Sequence, residues 1–397
     1  MLAGASGMWG RRLPAALVVF LAVATVVAAR PAASGSQAAV PSAAQCGKLL
    51  ARTPPGTELL PPRRGRLLDV VATFVERSVP QGQRYVFPSA EERARFQCGF
   101  QYAAALQLAN AQRLLEPLQY DVKQLIDTGT RTSRSLIVLE ERKVKGRDGV
   151  ERYRRAWGFY VAARSAAVPV VAVEVPHQCR STARCDAVGG DRRTHTMAVT
   201  AFERASAKYL FVAGTDRGAT ATGCPQPPCS ADVAHEAASM FEAVHEAALT
   251  PKLAVPAARR VYQPHGFSTT GHPTSCREVV VSAGLEQISS PGIETTPLAR
   301  RTAAALNADP SKVYGKKVLL YGQDISPREK PDGRVDCSPD DDPTGGLGAT
   351  TNVQGQFAAQ LTPPRDFISV EASQHVRNLA AERDALAGTV GRVVSAP

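Results

Sequence analysis

Three strand-like segments of this 397-residue chain end in residues that can bind a metal ion or move a proton. Val168 to Val175 runs into Pro176-His177, Arg260 to Gln263 into Pro264-His265-Gly266, and Phe367 to Val370 into Glu371-Ala372-Ser373. A single strand-end histidine is ordinarily a hydrogen-bonded structural residue. Two Pro-His ends together with a strand-end carboxylate form a set. Two neutral imidazoles and one carboxylate are the donors of a catalytic zinc site that keeps a position open for water. A further carboxylate outside that set can act as general base on such a water, whose pKa the metal lowers toward about 7.

The third donor is expected from an acidic residue near His177, with Asp191, Asp186 and Glu174 as candidates. Glu174 is three residues back on the same strand, which by period-2 alternation sends it to the opposite face. Asp186 adjoins Cys185, at the edge of a predicted disulfide loop. Asp191 precedes Thr194 and the following helix, where a loop carboxylate can turn back toward the strand end, so Asp191 is favoured. His195 is an outside alternative.

The elements that must position these groups alternate. After a hairpin predicted from Ser135 to Val144 and Arg155 to Ala163 come strand Val168 to Val175, helix Thr196 to Ala205 and strand Tyr209 to Ala213. Helix Ala231 to Ala248, strands Arg260 to Gln263 and Glu278 to Ser282, and helix Pro297 to Ala308 follow. Strands Lys317 to Tyr321 and Phe367 to Val370 and helix Gln374 to Leu386 complete the series. This pattern predicts an α/β fold with a mixed sheet flanked by helices, whose ligands bind beyond strand ends. Residues 46–134 read as an N-terminal helical region (Leu67 to Val75; Phe100 to Ile126), and residues 135–397 as the α/β catalytic-type domain.

The order Pro-His, acidic residue at a helix start, Ala-Gly-x-x-Arg (Ala213 to Arg217), Pro-His-Gly (Pro264 to Gly266) and Glu-x-Ser followed by Arg (Glu371, Ser373, Arg377) resembles a zinc-dependent amidohydrolase superfamily. It includes zinc carboxypeptidases, N-formylglutamate amidohydrolases and phage-type poly-γ-glutamate hydrolases. The resemblance covers roughly residues 165 to 385. It implies a zinc-carboxypeptidase-like fold, a zinc cofactor held by His177, Asp191 and His265, and Glu371 as the group that activates water. The carboxypeptidases place their acidic ligand three residues after the first His; here that position is Arg180.

Arg217 and Arg377 are candidates for gripping a substrate carboxylate bidentately. Asp232, His235 and Ser239 are expected on one helix face, with His235 able to orient a ligand or polarise a substrate. Asn352 and Gln354, in a Gly/Thr loop, are candidates for lining the cleft and hydrogen-bonding a peptide.

Other chemistries are excluded by what the sequence lacks. No G-x-S-x-G elbow occurs, and no Walker or G-x-G-x-x-G phosphate loop. Asp340 to Asp342 lack the spacing of a calcium loop. The basic residues are dispersed without aromatic interleaving, which argues against nucleic acid.

Arg11 and Arg12 precede an apolar run, Leu13 to Ala29, and small residues follow, so residues 1–29 read as a secretory signal peptide and 30–45 as a linker. An uncleaved membrane anchor is the alternative. The eight cysteines then belong to an oxidising compartment; their spacing suggests two short loops, Cys179–Cys185 and Cys224–Cys229, and Cys46–Cys98 with Cys276–Cys337 would complete the set. The formal charge of +11 is uneven: residues 30–167 carry 22 basic against 12 acidic residues, while Val168 onward is nearly neutral. A basic N-terminal face suits an acidic polymer or cell-wall surface. The sequence thus predicts a secreted hydrolase of amide bonds in a peptide, N-acyl amino acid or γ-glutamyl-type substrate. The alternative is a metal-free secreted binding or wall-associated protein on the same scaffold.

Overall fold

The computed structural model describes residues 39–78, 84–130, 132–146, 149, 151–178, 191–223, 230–267, 278–284, 296–309, 318–320, 349 and 351–397. The strands are β1 (Arg63–Gly65), β2 (Arg84–Val86), β3 (Tyr120–Asp127), β4 (Arg134–Glu141), β5 (Lys143–Lys145), β6 (Glu151–Tyr153) and β7 (Phe159–Ala163). They continue as β8 (Val171–Val175), β9 (Tyr209–Val212), β10 (Thr220–Thr222), β11 (Arg260–Phe267), β12 (Val279–Ser282), β13 (Leu319–Leu320) and β14 (Asp366–Ser373). The helices are α1 (Ala43–Arg52), α2 (Leu67–Ser78), α3 (Ala90–Ala104), α4 (Leu108–Leu115), α5 (Thr194–Arg204), α6 (Met240–Leu249), α7 (Pro297–Ala308), α8 (Val353–Gln360), α9 (Gln374–Asn378) and α10 (Ala380–Ser395).

Ten strands form one mixed sheet in the order β1-β3-β4-β7-β9-β8-β11-β14-β12-β13. Its centre, β9-β8-β11-β14, is parallel, and antiparallel pairs flank it. Parallel central strands are covered on both faces, and β8 (Val-Ala-Val-Glu-Val) is accordingly buried throughout. On one face Val173, Val175, Leu210 and Ile368 pack with Phe202 of α5 and Leu386 of α10. On the other, Phe211, Val261 and Phe367 pack with Phe96 of α3 and Phe241 of α6. The fold is α/β, with helices on both faces as the alternation predicts.

The connection from β8 to β9 runs through α5, and that from β9 to β11 through α6, which returns the chain on the far side of β8. The connections therefore diverge at β8, the crevice position where ligands bind in such sheets.

Several elements differ from expectation. Phe100 to Ile126 is not one helical pattern: α3 stops at Ala104, Leu106 and Gln119 take positive φ, and Tyr120–Asp127 is a strand of the main sheet. The predicted hairpin is the pair β4 and β7, with β5 and β6 forming a separate two-stranded sheet between them. The strands carrying His265 and Glu371 do not end before those residues; β11 and β14 run through them to Phe267 and Ser373. The final helix is two, because Leu379 is extended between α9 and α10.

The Cys46–Cys98 disulfide forms, joining α1 to α3. The other three proposed pairs, Asp186 and Arg180, the Asp340 to Asp342 run, and the signal and most of the linker lie outside the described residues. Among the described residues no helix is long and apolar enough to cross a membrane.

Candidate metal centre

The ends of β8 and β11 and the start of α5 bring His177, Asp191 and His265 together. One donor atom from each lies within 4.8 Å of the others, and all three residues are buried. His177 Nδ1 is 3.3 Å from Asp191 Oδ2, and His265 Nδ1 is 3.8 Å from Asp191 Oδ1. Thr194, opening α5, donates its hydroxyl to the carbonyls of both His177 and Asp191, which ties the two segments at their backbones. The Gly266 amide donates to Asp191 Oδ1. A Cβ at 266 would overlap the Arg377 guanidinium, which would have to shift.

Whether these residues suit a cation is tested by what they leave unpaired. His177 Nδ1 and Asp191 Oδ2 are buried, make no well-formed hydrogen bond and face each other at 3.3 Å. A proton on Nδ1 pairs them in the metal-free chain, and a bound cation would take that proton's place. Tetrahedral donors about 2.0–2.1 Å from zinc stand roughly 3.3 Å apart, close to the His177–Asp191 separation. The residues fit a divalent cation. A second grouping, His177, Asp232 and His235, also has donors within 4.8 Å of one another. There, however, His177 Nε2 already lies 2.6 Å from Asp232 Oδ1, and Arg217 Nη2 stands 3.2 Å from Asp232 Oδ2. Asp232 is better read as the carboxylate that orients His177, leaving Nδ1 to face the cluster.

Electrostatics separate the two histidines. Burial opposes charge on His177, but Asp232 and Asp191 outweigh it and raise its pKa to about 9. Burial and the neighbouring His177 push His265 down to about 3. Asp191 is held below the usual carboxylate range, against burial, by His177. Asp232 moves in the same direction, against burial, through His177 and His235. Glu371 is buried and lies beside Asp191, and both raise its pKa. Its Oε1 is 4.0 Å from His265 Nδ1, because β11 and β14 are parallel neighbours with His265 opposite Glu371.

The remaining predicted residues divide. Arg217 is 38% exposed, pairs with Asp232 and approaches Asp191, so it sits at the rim of the cluster. Arg377 instead is buried and donates to the carbonyls of Ala372, Arg192 and Phe267. Asn352 is not a free loop amide: it caps α8, its Oδ1 accepting from Gly355, and its Nδ2 donates to Gln263. Gln354 donates to Glu242 and to the Val233 carbonyl. Asp232, His235 and Ser239 do not share a helix face, since α6 begins only at Met240 with Ser239 as its cap. His235 is partly exposed and reaches Asp232 from a turn. Glu174 faces the same side of the sheet as Gln263 and His265. It lies deeper, its oxygens taken by His245 and Gln263. His195 is absent from the cluster of donors.

Two residues escaped the sequence reading. Asp232 was grouped with His235 only by spacing. Gln263 was passed over, although it stands two residues before His265, which on a strand means the same face.

Several buried groups make stability depend on pH. Burial opposes a charged His245, but the Glu174 carboxylate 2.7 Å away raises its pKa from 6.5 to about 9. That stabilisation is complete below the unfolded value and is lost as pH rises through about 9. Burial also raises Glu141 and Glu203 from 4.5 to about 7, so the folded chain holds their protons longer and loses stability as pH climbs past 4.5. The urea midpoint of chelator-treated protein should therefore fall between about pH 5.5 and 9, and His245→Gln should flatten the upper part. A midpoint that rises across this span would contradict the assignment.

No family profile and no curated protein matches the chain. Solved structures with some likeness include a provisionally assigned carboxypeptidase of Burkholderia mallei, at 11% identity and TM-score 0.30, covering 71% of this chain and 65% of that one. A leucyl aminopeptidase of Trypanosoma brucei has 8% identity and TM-score 0.29, covering 71% and 55%. The LapA aminopeptidase of Legionella pneumophila has 8% identity and TM-score 0.29, covering 96% and 79%. The chain spans less than two thirds of the length of the first two. At these TM-scores the likeness carries no argument.

Proposed function

We propose that the protein is a secreted zinc-dependent hydrolase of amide bonds in a peptide, N-acyl amino acid or γ-glutamyl-type substrate. The observation that carries this reading is the convergence of three buried donors, His177, Asp191 and His265, whose ligand atoms lie within 4.8 Å of one another. Two nitrogens and one carboxylate oxygen suit zinc better than magnesium or calcium, which prefer oxygen throughout. The Cys46–Cys98 disulfide is in keeping with export.

His177, Asp191 and His265 would hold the cation. When bound it supplies Lewis-acid polarisation of the scissile carbonyl and a lowered water pKa. Glu371 takes a proton from the attacking water as its oxygen bonds to the carbonyl carbon. It then passes that proton to the leaving nitrogen as the C–N bond breaks, giving a carboxylate and an amine. Asp232 keeps His177 in one orientation, and Arg217, the exposed cation at the rim, meets a substrate carboxylate. Arg377 positions β14 and Gly266. The basic N-terminal half suits an acidic polymer or wall surface as the setting of the substrate.

Metal analysis of purified protein should find about one zinc per chain, with chelation lowering the melting temperature because the ion binds only the folded state. A screen against peptides, N-acyl amino acids, poly-γ-glutamate and wall fragments then identifies the bond cut. Absence of near-stoichiometric metal, with unchanged melting in chelator, would replace this reading by the metal-free binding protein.

A further inference from the structure

Behind the cluster lies a chain of buried polar side chains that no step above uses. His265 Nε2 is 3.1 Å from Gln263 Oε1, and Gln263 Nε2 is 2.8 Å from Glu174 Oε2. Glu174 Oε1 is 2.7 Å from His245 Nδ1, and Asn352 Nδ2 donates to Gln263 Oε1 at 2.8 Å. Gln263, Glu174, His245 and Asn352 are all buried. β8 and β11 create the contact: their parallel register pairs Tyr262 with Val173, so the next step sets Gln263 beside Glu174.

The orientation of every member can be deduced. The Gly355 amide can only donate, so the Asn352 atom that receives it is Oδ1, and the atom turned to Gln263 is the NH2. Gln263 therefore presents its oxygen to Asn352. Independently, the Glu174 carboxylate only accepts, so the Gln263 atom facing it is the NH2. Both constraints give the same amide orientation. An oxygen facing His265 Nε2 requires that nitrogen to carry the proton, which leaves the lone pair on Nδ1.

We infer that Gln263 is a positioning residue for the centre, holding His265 in the Nε2–H tautomer with its Nδ1 lone pair turned toward His177 and Asp191, and that Glu174 and Asn352 lock Gln263 in that role. The inference rests on the metal-binding reading for its consequence, because ligand histidines are oriented by the partner of their other nitrogen. The tautomer itself does not depend on a metal.

The decisive comparison uses full-length protein and zinc alone, with affinity measured by competition against a chromogenic chelator. Gln263→Leu should weaken zinc by about 10–100-fold, the range for loss of a ligand's supporting partner. The double substitution Glu174→Gln/Gln263→Glu retains the charge and the hydrogen-bond sequence from His245 to His265. It should return affinity to within a few-fold of the unaltered chain. Wild-type affinity in Gln263→Leu, or a double variant as weak as Gln263→Leu, would overturn the inference. If Gln263→Leu does not fold, nitrogen NMR of 15N-histidine-labelled, metal-free protein decides: a pyrrole-type Nε2 on His265 is expected, and a protonated Nδ1 overturns it. Failure of the unaltered chain to bind zinc would instead defeat the metal-binding reading, and the NMR result would still test the tautomer.

Discussion

Glu371→Gln should leave zinc stoichiometry at the wild-type value and lower turnover by about 10²–10⁴-fold, the usual contribution of a positioned general base. The substitution is nearly isosteric and touches none of the three donors. Glu371 sits on β14 directly across from His265, and its carboxyl is 4.0 Å from the His265 ring. Burial and Asp191 both favour its neutral form in the metal-free chain, and the charge of a bound cation would favour the ionised form that a base requires. A glutamine there fills the same space without accepting a proton. Because the change acts on the chemical step, kcat and kcat/KM should fall together while KM moves little. Full activity in Glu371→Gln would assign the base elsewhere.

The second large effect distinguishes the histidines. His177→Ala and His265→Ala should each abolish stoichiometric zinc binding, yet differ in their cost to the metal-free fold. His177 lies between Asp191 and Asp232, which raise its pKa, so it is a cation at neutral pH. Its removal leaves the buried Asp191 with only Arg217 nearby, while Asp232 keeps Arg217 and His235, and breaking such a buried pair costs about 3–5 kcal/mol. His265 is pushed toward neutrality, so its loss removes a packed ring and one hydrogen bond but no charge. Urea unfolding in the presence of chelator should therefore place the His177→Ala midpoint clearly below that of His265→Ala. Equal midpoints would contradict the charge assignment.

Much of this arrangement is legible in the sequence, and the illegible parts have physical reasons. Helix α7 spans Pro297–Ala308 as its pattern predicts, because Thr296 caps it and proline opens it. The two Pro-His pairs and Glu371 stand out because polar groups interrupt otherwise apolar runs. Strand β3 is hidden because its buried positions slip register, with Tyr120 and Val122 followed by Leu125 and Asp127. Residues 231–239 read as helix through their alanines, but Ser239 caps the later helix and leaves Asp232 free to turn to His177. Gln263 is marked in the sequence only by standing two residues before His265 on one strand face. Its role emerges only when β8, β11 and α8 meet.

The parallel pairing of β11 with β14 extends over eight residues, from Arg260 opposite Asp366 to Phe267 opposite Ser373. His265 and Glu371 are thus one inter-strand step apart, a separation of about 4.8 Å that backbone hydrogen bonding sets. The spacing of these two side chains is therefore insulated from change in the segments between strands. Insertions, deletions or grafted loops can diverge there while the proposed ligand and base keep their spacing. Descendants of this scaffold could change what they recognise faster than how they react, and loop exchange is the natural route to redirecting it.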